Sequence, residues 1–246
     1  MNKVIILLLL ALILTFFTIY LVFRNRAIYD SNSTAIIINY ARPHNITKLI
    51  PELKKSDVIK EIIVLHCNPK TYSEFKGVIN LKNFQDKYGG AERFFVVNHA
   101  KYNNILFLDD DIVPSNNLIK TLQNELLKDR YNIYGPLKRL CHRTGYYADK
   151  NVNDKNYNII LTPIMMTSKE LVQNYIKYFE LYDTFLMKTH GNCEDLSINH
   201  FLKYEYSKKP KYIKGDYYYL DNKSEAYSSK PKHKKQRDEF CIRYFK

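Results

Sequence analysis

The chain has 246 residues, of which 46% are hydrophobic and 14% aromatic, and this apolar content excludes a wholly disordered protein. Its 38 Lys and Arg outnumber its 25 Asp and Glu and give a net charge of +13. Such a charge favours anionic partners such as nucleotides, polyanionic glycans or membrane headgroups. The basic residues are scattered and form no nucleic-acid-binding motif, so we expect no nucleic-acid partner.

The first predicted element is a transmembrane helix over residues 4–23. These 20 residues carry no charge and as a helix span about 30 Å, the hydrocarbon thickness of a bilayer. Arg24 and Arg26 follow directly, without the small residues of a cleavage site, so an uncleaved anchor is favoured over a cleaved signal peptide. The simplest topology is a single-pass type II membrane protein with a lumenal (ER/Golgi-like) or exoplasmic domain. Residues 24–34 are a polar linker.

Residues 35–246 are predicted to form one α/β domain. Near-continuous apolar runs predict strands over residues 35–40, 61–65, 104–108 and 157–165. Apolar residues at helical spacing predict helices over residues 45–55, 115–127 and 168–179. This alternation is typical of a sheet covered by helices. After residue 203 the composition predicts only loops and short elements.

Asp109, Asp110 and Asp111 directly follow the predicted strand at residues 104–108. In open α/β sheets, ligands bind outside the carboxyl ends of the strands. Adjacent carboxylates repel one another unless a cation lies between them, and hard oxygen ligands suit Mn²⁺ or Mg²⁺ bridged to phosphate. An acidic turn before a helix is the alternative, but the position after a buried strand in a cationic chain favours a metal site.

Glu194 and Asp195 begin a further predicted helix, with Leu196, Ile198 and Leu202 facing inward. Their carboxylates would lie near the positive end of the helix dipole. Acidic residues in a first helical turn are common in all helices, so this pattern alone does not identify a site.

Six segments, taken in order, resemble the exostosin-type α-N-acetylhexosaminyltransferase domain. They are AIIINYAR, EIIVLHCN, ILFLDDD, YNIILT, NCEDLSINHF, and HKKQR with a following Cys. The resemblance covers nearly all of residues 35–246, and the DDD and NCED elements are its specific parts. It implies a GT-A (Rossmann-like) fold with a mixed sheet flanked by helices, and a retaining transferase that uses a UDP-sugar and Mn²⁺ (or Mg²⁺). The implied partners are UDP-N-acetylhexosamine and an oligosaccharide or glycoconjugate acceptor.

The same resemblance implies which residues bind the donor. Asp111 matches the direct metal ligand. The residues that match contacts to the nucleotide, ribose or donor sugar are Arg42, Asn68, Arg93, Asp109 and Asp110. The resemblance therefore implies a donor site along the edge where the predicted strands end.

The catalytic residues implied by the resemblance lie later in the chain. Asp195 matches an acid near the anomeric centre, where it would stabilise oxocarbenium-like charge or orient the acceptor hydroxyl. Arg237 matches the arginine that meets the diphosphate, and His233 is a candidate for metal or phosphate binding. Cys193 and Cys241 occupy the positions of the family's disulfide.

The other two cysteines, Cys67 and Cys141, have no family partners, and we expect them to be buried free thiols. Two alternative functions remain open from the residues alone. An inverting GT-A transferase would use Asp195 as a general base, and a catalytically inactive glycan- or polyanion-binding protein would keep the fold without the chemistry. The leading prediction is a membrane-anchored, metal-dependent retaining transferase of N-acetylhexosamine (GlcNAc or GalNAc).

Overall fold

The computed structural model describes residues 10–20, 31–147, 152–220 and 231–245. Residues 10–20 are helical, whereas the rest of the predicted transmembrane segment and most of the predicted linker lie outside the described residues. Among the residues that are described, no helix combines the length and the apolarity that a membrane crossing requires.

The domain alternates strands and helices along most of its length. Its strands are β1 (Ser33–Asn39), β2 (Ile59–His66), β3 (Ile79–Lys82), β4 (Asn104–Leu108), β5 (Ile112–Pro114), β6 (Tyr134–Gly135), β7 (Lys138–His142), β8 (Gly145–Tyr147), β9 (Ile159–Ile160), β10 (Ile164–Ser168), β11 (Lys211–Tyr212) and β12 (Tyr217–Tyr219). Its helices are α1 (Pro43–Lys54), α2 (Glu92–Phe95), α3 (Asn116–Lys128), α4 (Lys169–Lys177), α5 (Asp183–Lys188), α6 (Glu194–Tyr206) and α7 (His233–Tyr244).

The main sheet has seven strands in the order β11-β6-β10-β4-β1-β2-β3. Strand β4 lies at its centre, and the neighbouring strand β1 pairs in parallel with both β2 and β4. Strand β10 pairs with β4 in the antiparallel direction, which makes the sheet mixed. The predicted mixed sheet with flanking helices is therefore confirmed, and the carboxyl ends of β1, β2 and β4 share one edge.

Helices cover both faces of this sheet. Successive residues of a strand point to opposite faces, so Ile36 packs into the core under α4 and α6, while Ile37 packs into the core under α1 and α3. Every residue of β1 is buried, and burial on both faces explains why the strand is apolar without alternation.

The predicted strand at residues 157–165 is instead two strands. Strand β9 pairs with β7 in a separate small sheet, and β10 belongs to the main sheet. Residues 161–163 lie between them, and Pro163 supplies no backbone N–H for a continuous ladder.

The prediction of an irregular tail after residue 203 is wrong. Helix α6 continues to Tyr206, and α7 forms 12 residues near the end of the chain. Arg237, Phe240 and Cys241 are the buried residues of α7. Because one of these three is an arginine, the helix shows no apolar face that periodicity detects.

Candidate active site

The sheet topology brings Arg42 to the three adjacent carboxylates. Strand β1 leads into Arg42, just before α1, and its neighbour β4 leads into Asp109. Arg42 Nη2 lies 2.5 Å from Asp110 Oδ1, and Arg42 Nη1 lies 2.8 Å from Asp111 Oδ2. One guanidinium therefore neutralises part of the charge of two carboxylates.

Arg93 contacts the third carboxylate, that of Asp109. It is 3% exposed, and its Nη2 lies 2.7 Å from Asp109 Oδ1. Its Nε donates to the carbonyl of Gly90 at 3.0 Å, which fixes the side chain against the turn before α2. Each of the three adjacent carboxylates thus contacts an arginine, Arg42 or Arg93, that the family resemblance predicts at the donor site.

Two carboxylates of the trio remain short of positive charge. Burial raises the pKa of Asp110 to about 6, even though the Arg42 guanidinium favours its charged form. Burial and the charge of Asp109 also raise the pKa of Asp111. A further cation near these oxygens would stabilise the ionised state.

A second acid–arginine pair involves helices α6 and α7. Asp195 and Arg237 are 3% and 5% exposed, and Arg237 Nη2 lies 2.5 Å from Asp195 Oδ2. The Arg237 guanidinium carbon lies 4.4 Å from the centroid of the Tyr146 ring. Burial lowers the pKa of His233, as does the charge of Arg237, while Asp195 opposes them. The structure therefore brings together three predicted residues: Asp195, Arg237 and His233.

Glu194, which was not predicted as a site residue, connects the two acid–arginine groups. Its Oε1 accepts a hydrogen bond from Thr162 Oγ1 at 2.8 Å. Burial, and then the charge of Asp195, raise the pKa of Glu194 to about 7, while Arg93 favours its charged form. Arg93 also interacts with Asp109, so it carries the electrostatic link between the groups. The only sequence signal for Glu194 is its position beside Asp195.

Arg139 and Tyr219 are two more site neighbours that sequence reasoning missed. Strand β12 pairs with β5 next to Asp111, and Leu220 N donates to the Asp111 carbonyl at 2.7 Å. Burial, then Tyr217 and Asp111, raise the pKa of Tyr219, and Arg139 opposes them. Burial raises the pKa of the Tyr146 phenol, and the charges of Arg237 and Arg139 oppose that rise. Arg139 therefore interacts with a tyrosine beside each acid–arginine group. Nothing in the sequence of its strand, β7, distinguishes Arg139 from a surface residue.

Asn68 lies at the same sheet edge, just after β2. Its Oδ1 accepts a hydrogen bond from Lys70 N at 3.0 Å and so caps the turn at Pro69–Thr71. This contact fixes the orientation of the side-chain amide. The predicted contact of Asn68 with the nucleotide therefore remains a prediction.

The predicted Cys193–Cys241 disulfide is wrong. Cys241 of α7 bonds to Cys141 of β7, with their Cα atoms 5.3 Å apart. Cys193 is instead a buried free thiol at the start of α6. The different pairing arises because β7 and β8 pack beside α7, where Asp238 Oδ1 accepts from the Tyr146 N–H at 2.8 Å. The expectation of a free thiol holds for Cys67 and fails for Cys141.

Both site arginines fit an anionic ligand. The Nε atoms of Arg42 and Arg237 are buried and have no hydrogen-bond acceptor among the described residues. A buried donor without an acceptor costs on the order of 1–3 kcal/mol, and a ligand oxygen that accepts from this Nε–H would remove that cost. Phosphate oxygens match guanidinium donors in charge and geometry.

The carboxylates of the site could bind a metal ion only if a bound ligand supplied the remaining coordinating atoms. Among the described residues, no group of three or more His, Cys, Asp and Glu is arranged to hold a metal by itself. Mg²⁺ commonly binds through one or two carboxylates and completes its coordination with substrate phosphates and water. Asp111, with Asp109 beside it, fits a site of this kind, in which one or two carboxylates are completed by substrate phosphates and water.

The family model of the glycosyl transferase family 64 domain matches residues 33–246. The chain belongs to this family. It therefore contains a glycosyltransferase domain, and both acid–arginine groups lie inside the matched region. Among curated protein sequences, none matches this family 64 chain.

Solved structures show similarity to the fold. A CMP:2-keto-3-deoxy-manno-octonic acid synthetase complexed with CTP aligns with a TM-score of 0.52 at 12% identity, covering 75% of this chain and 90% of that chain. GalNAc-T7 with UDP, GalNAc and Mn²⁺ aligns with a TM-score of 0.47 at 12% identity, covering 58% of this chain. The aligned region spans 36% of the GalNAc-T7 chain. The similarity to the synthetase shows a similar α/β fold and nothing more specific.

Proposed function

We propose that this family 64 domain is a metal-dependent, retaining glycosyltransferase of the exostosin type. It transfers an N-acetylhexosamine, GlcNAc or GalNAc, from a UDP-sugar to a glycan acceptor. The supporting observation is the pair of acid–arginine groups, Arg42 with Asp110 and Asp111, and Arg237 with Asp195. Each arginine keeps a buried Nε–H donor without an acceptor among the described residues.

In this proposal, the acidic trio and Arg42 bind the donor. Asp111 would hold Mn²⁺ or Mg²⁺, which stabilises the negative charge of the departing diphosphate when bound. Arg42 donates hydrogen bonds to diphosphate oxygens. Asp109 and Asp110 accept hydrogen bonds from hydroxyl groups of the ribose and the donor sugar. Because Arg93 holds Asp109 and Arg42 holds Asp110, the positions of these acceptors are fixed before the donor arrives.

Asp195 and Arg237 would act at the bond that breaks. Cleavage of the sugar–phosphate bond leaves positive charge on the sugar ring and negative charge on the diphosphate. The Asp195 carboxylate stabilises the first charge and the Arg237 guanidinium stabilises the second. Because the two groups are in contact, they are positioned as a unit to serve both sides of the same bond.

The anomeric configuration of the product tests this function. We expect an α-linked product from an α-linked UDP-N-acetylhexosamine, identified by the proton coupling constant in NMR. A β-linked product would contradict retention and would favour the inverting alternative, in which Asp195 is a general base. Donor or glycan binding without turnover, unchanged in Asp111→Asn, would favour an inactive binding protein.

A matched acidic variant controls for general loss of charge. Asp57 precedes β2 at the opposite edge of the sheet and pairs with Lys120 at the surface. We expect Asp57→Asn to keep the transfer rate of the wild type and Asp111→Asn to lose it.

We also propose a single-pass type II topology, with residues 4–23 as the anchor and the catalytic domain in the lumen or outside the cell. The disulfide between Cys141 and Cys241 supports an oxidising compartment. In sealed microsomes, we expect added protease to leave the domain intact until detergent is present. Digestion without detergent would contradict the topology.

A further inference from the structure

The hairpin of β7 and β8 is attached to α7 next to Arg237. The Tyr146 ring lies against the Arg237 guanidinium, and the Tyr146 N–H donates to Asp238 Oδ1 at 2.8 Å. Gly145 has a φ of +135°, and a Cβ there would lie 2.9 Å from Asp238 Oδ1. Since only glycine tolerates both the backbone angle and the close approach, the hairpin fits α7 closely at this point. The Cys141–Cys241 disulfide adds a covalent link one helical turn further on.

These contacts hold the guanidinium of Arg237 from two sides. Asp195 Oδ2 accepts from Nη2, while the Tyr146 ring lies 4.4 Å from the guanidinium carbon. One hydrogen bond alone would let the planar group rotate about the Nη2–oxygen direction. An aromatic face attracts a cation through its quadrupole, and this second contact fixes the guanidinium plane.

We propose that Tyr146 is a positioning residue, whose ring fixes the guanidinium plane of Arg237 so that Arg237 meets the diphosphate of the donor. This inference rests on the proposed function. The contact that carries this role is the one between the aromatic ring and the guanidinium, although the phenol hydroxyl also interacts with Arg237. Phenylalanine should therefore replace Tyr146, and leucine should not.

Steady-state kinetics of three variants test the proposal. We expect Tyr146→Leu to lower kcat by roughly 5- to 10-fold, the range of a cation–π contact in a partly desolvated site, with little change in KM for the acceptor. Tyr146→Phe should keep the wild-type kcat. Tyr147→Leu is the matched control, because Tyr147 is the adjacent residue of β8 and its hydroxyl contacts Thr144 instead.

A double mutant separates positioning from folding. In an Arg237→Gln background, Tyr146→Leu should cause no further loss of kcat, because the group that it positions is already absent. An equal loss of kcat in Tyr146→Leu with and without Arg237 would overturn the proposal. So would a wild-type kcat in Tyr146→Leu, or equal losses in the Leu and Phe variants.

NMR of the side chain of Arg237 supplies a readout that does not depend on catalysis. Protons above an aromatic face are shifted upfield, so the Hδ and Hε resonances of Arg237 should be shifted upfield in the wild type and in Tyr146→Phe. A wild type without this shift would overturn the role of Tyr146 even if Tyr146→Leu does not fold. A wild type that shows the shift but transfers no sugar would instead contradict the proposed function.

Discussion

The two acid–arginine groups of the site are assembled in different ways. The first group, Asp110 and Asp111 with Arg42, lies at the ends of two neighbouring strands of the central sheet. The second group joins Asp195 and Arg237, which are 42 residues apart and lie on separate helices. Next to this group, a disulfide between residues 100 positions apart links the β7–β8 hairpin to α7.

This difference determines where substitutions should have the largest effects on stability and activity. The parallel sheet fixes the backbone of the first group, so we expect changes in its side chains to act on ligand binding and on the pH dependence of stability while the sheet stays in place. The second group depends on α7 keeping its place against the hairpin and α6. Disturbing this group should therefore affect both stability and activity, and the largest effects are expected there.

The largest expected effect follows removal of the buried cation. Arg237→Gln leaves the Asp195 carboxylate buried without its counter-ion, and breaking such a pair costs about 3–5 kcal/mol of unfolding free energy. Loss of charge stabilisation at the leaving group should lower kcat by about 10²- to 10³-fold. Denaturant unfolding and UDP-sugar turnover measure the two effects.

The matched control for this prediction is Lys235→Gln, which removes an exposed cation from the same helix. It should leave stability and kcat close to the wild type. Equal losses in the two variants would mean that the net charge of α7 matters and the buried contact does not.

The disulfide should give the next largest effect. Cys141→Ser removes the link between the hairpin and α7, and loss of such a bond typically costs about 2–4 kcal/mol. In the wild type, a reductant should lower the unfolding free energy. In Cys141→Ser, the unfolding free energy should be the same with and without reductant. Cys193→Ser should keep the difference, because Cys193 is a free thiol. Non-reducing peptide mapping that links Cys193 to Cys241 would contradict this pairing.

Asp110 should make the protein less stable as pH rises. Its folded-state pKa of about 6 lies above the ordinary value of 3.8, so the folded chain binds more protons than the unfolded chain between these two values. The contribution of Asp110 to the unfolding free energy should therefore fall from about pH 4 to about pH 6 and level off above that. Asp110→Asn should remove this contribution, on the order of 2–3 kcal/mol for a shift of this size.

Denaturant unfolding at pH 4 and pH 6.5 checks this prediction. Relative to the wild type, Asp110→Asn should gain stability at the higher pH. Asp57→Asn, at the opposite sheet edge, should keep the wild-type slope across this window. A slope in Asp110→Asn that equals the wild-type slope would show that Asp110 is not the responsible group.

The smallest expected effect concerns Asn68. Asn68→Ala removes the acceptor for Lys70 N and should cost about 1 kcal/mol of stability, as for other lost caps. Asn68→Asp keeps that acceptor but removes the amide donor, so stability should be retained while KM for the UDP-sugar rises about 5-fold. An unchanged KM in Asn68→Asp would limit the role of Asn68 to the turn.

The same contrast explains what the sequence could predict. The strand expected at residues 35–40 is β1, Ser33–Asn39, and its burial on both faces produces a clear apolar run. The helix predicted over residues 115–127 is α3, and Ser115 caps its N-terminus by accepting a hydrogen bond from Leu118 N at 3.1 Å. Local patterns of this kind also predicted that Asp109, Asp110 and Asp111 lie at a strand end.

The remainder depends on contacts between distant segments. Helix α7 was missed because its buried face includes Arg237, whose burial is explained only by Asp195 and Tyr146. The partner of Cys241 depends on how the hairpin packs, which no spacing in the sequence encodes. Arg139 reaches the site from β7, a strand of the small sheet, and its residue type alone does not distinguish it from other basic residues.

Calorimetric binding of UDP with Mn²⁺ and with EDTA tests the central claim most directly, namely that a metal at Asp111 and the guanidinium of Arg237 hold one diphosphate. We expect affinity to fall at least about 10-fold with EDTA, and similarly in Asp111→Asn and in Arg237→Gln, because each change removes positive charge from the diphosphate. Equal UDP affinity under all these conditions, or no binding by the wild type with Mn²⁺, would contradict the account.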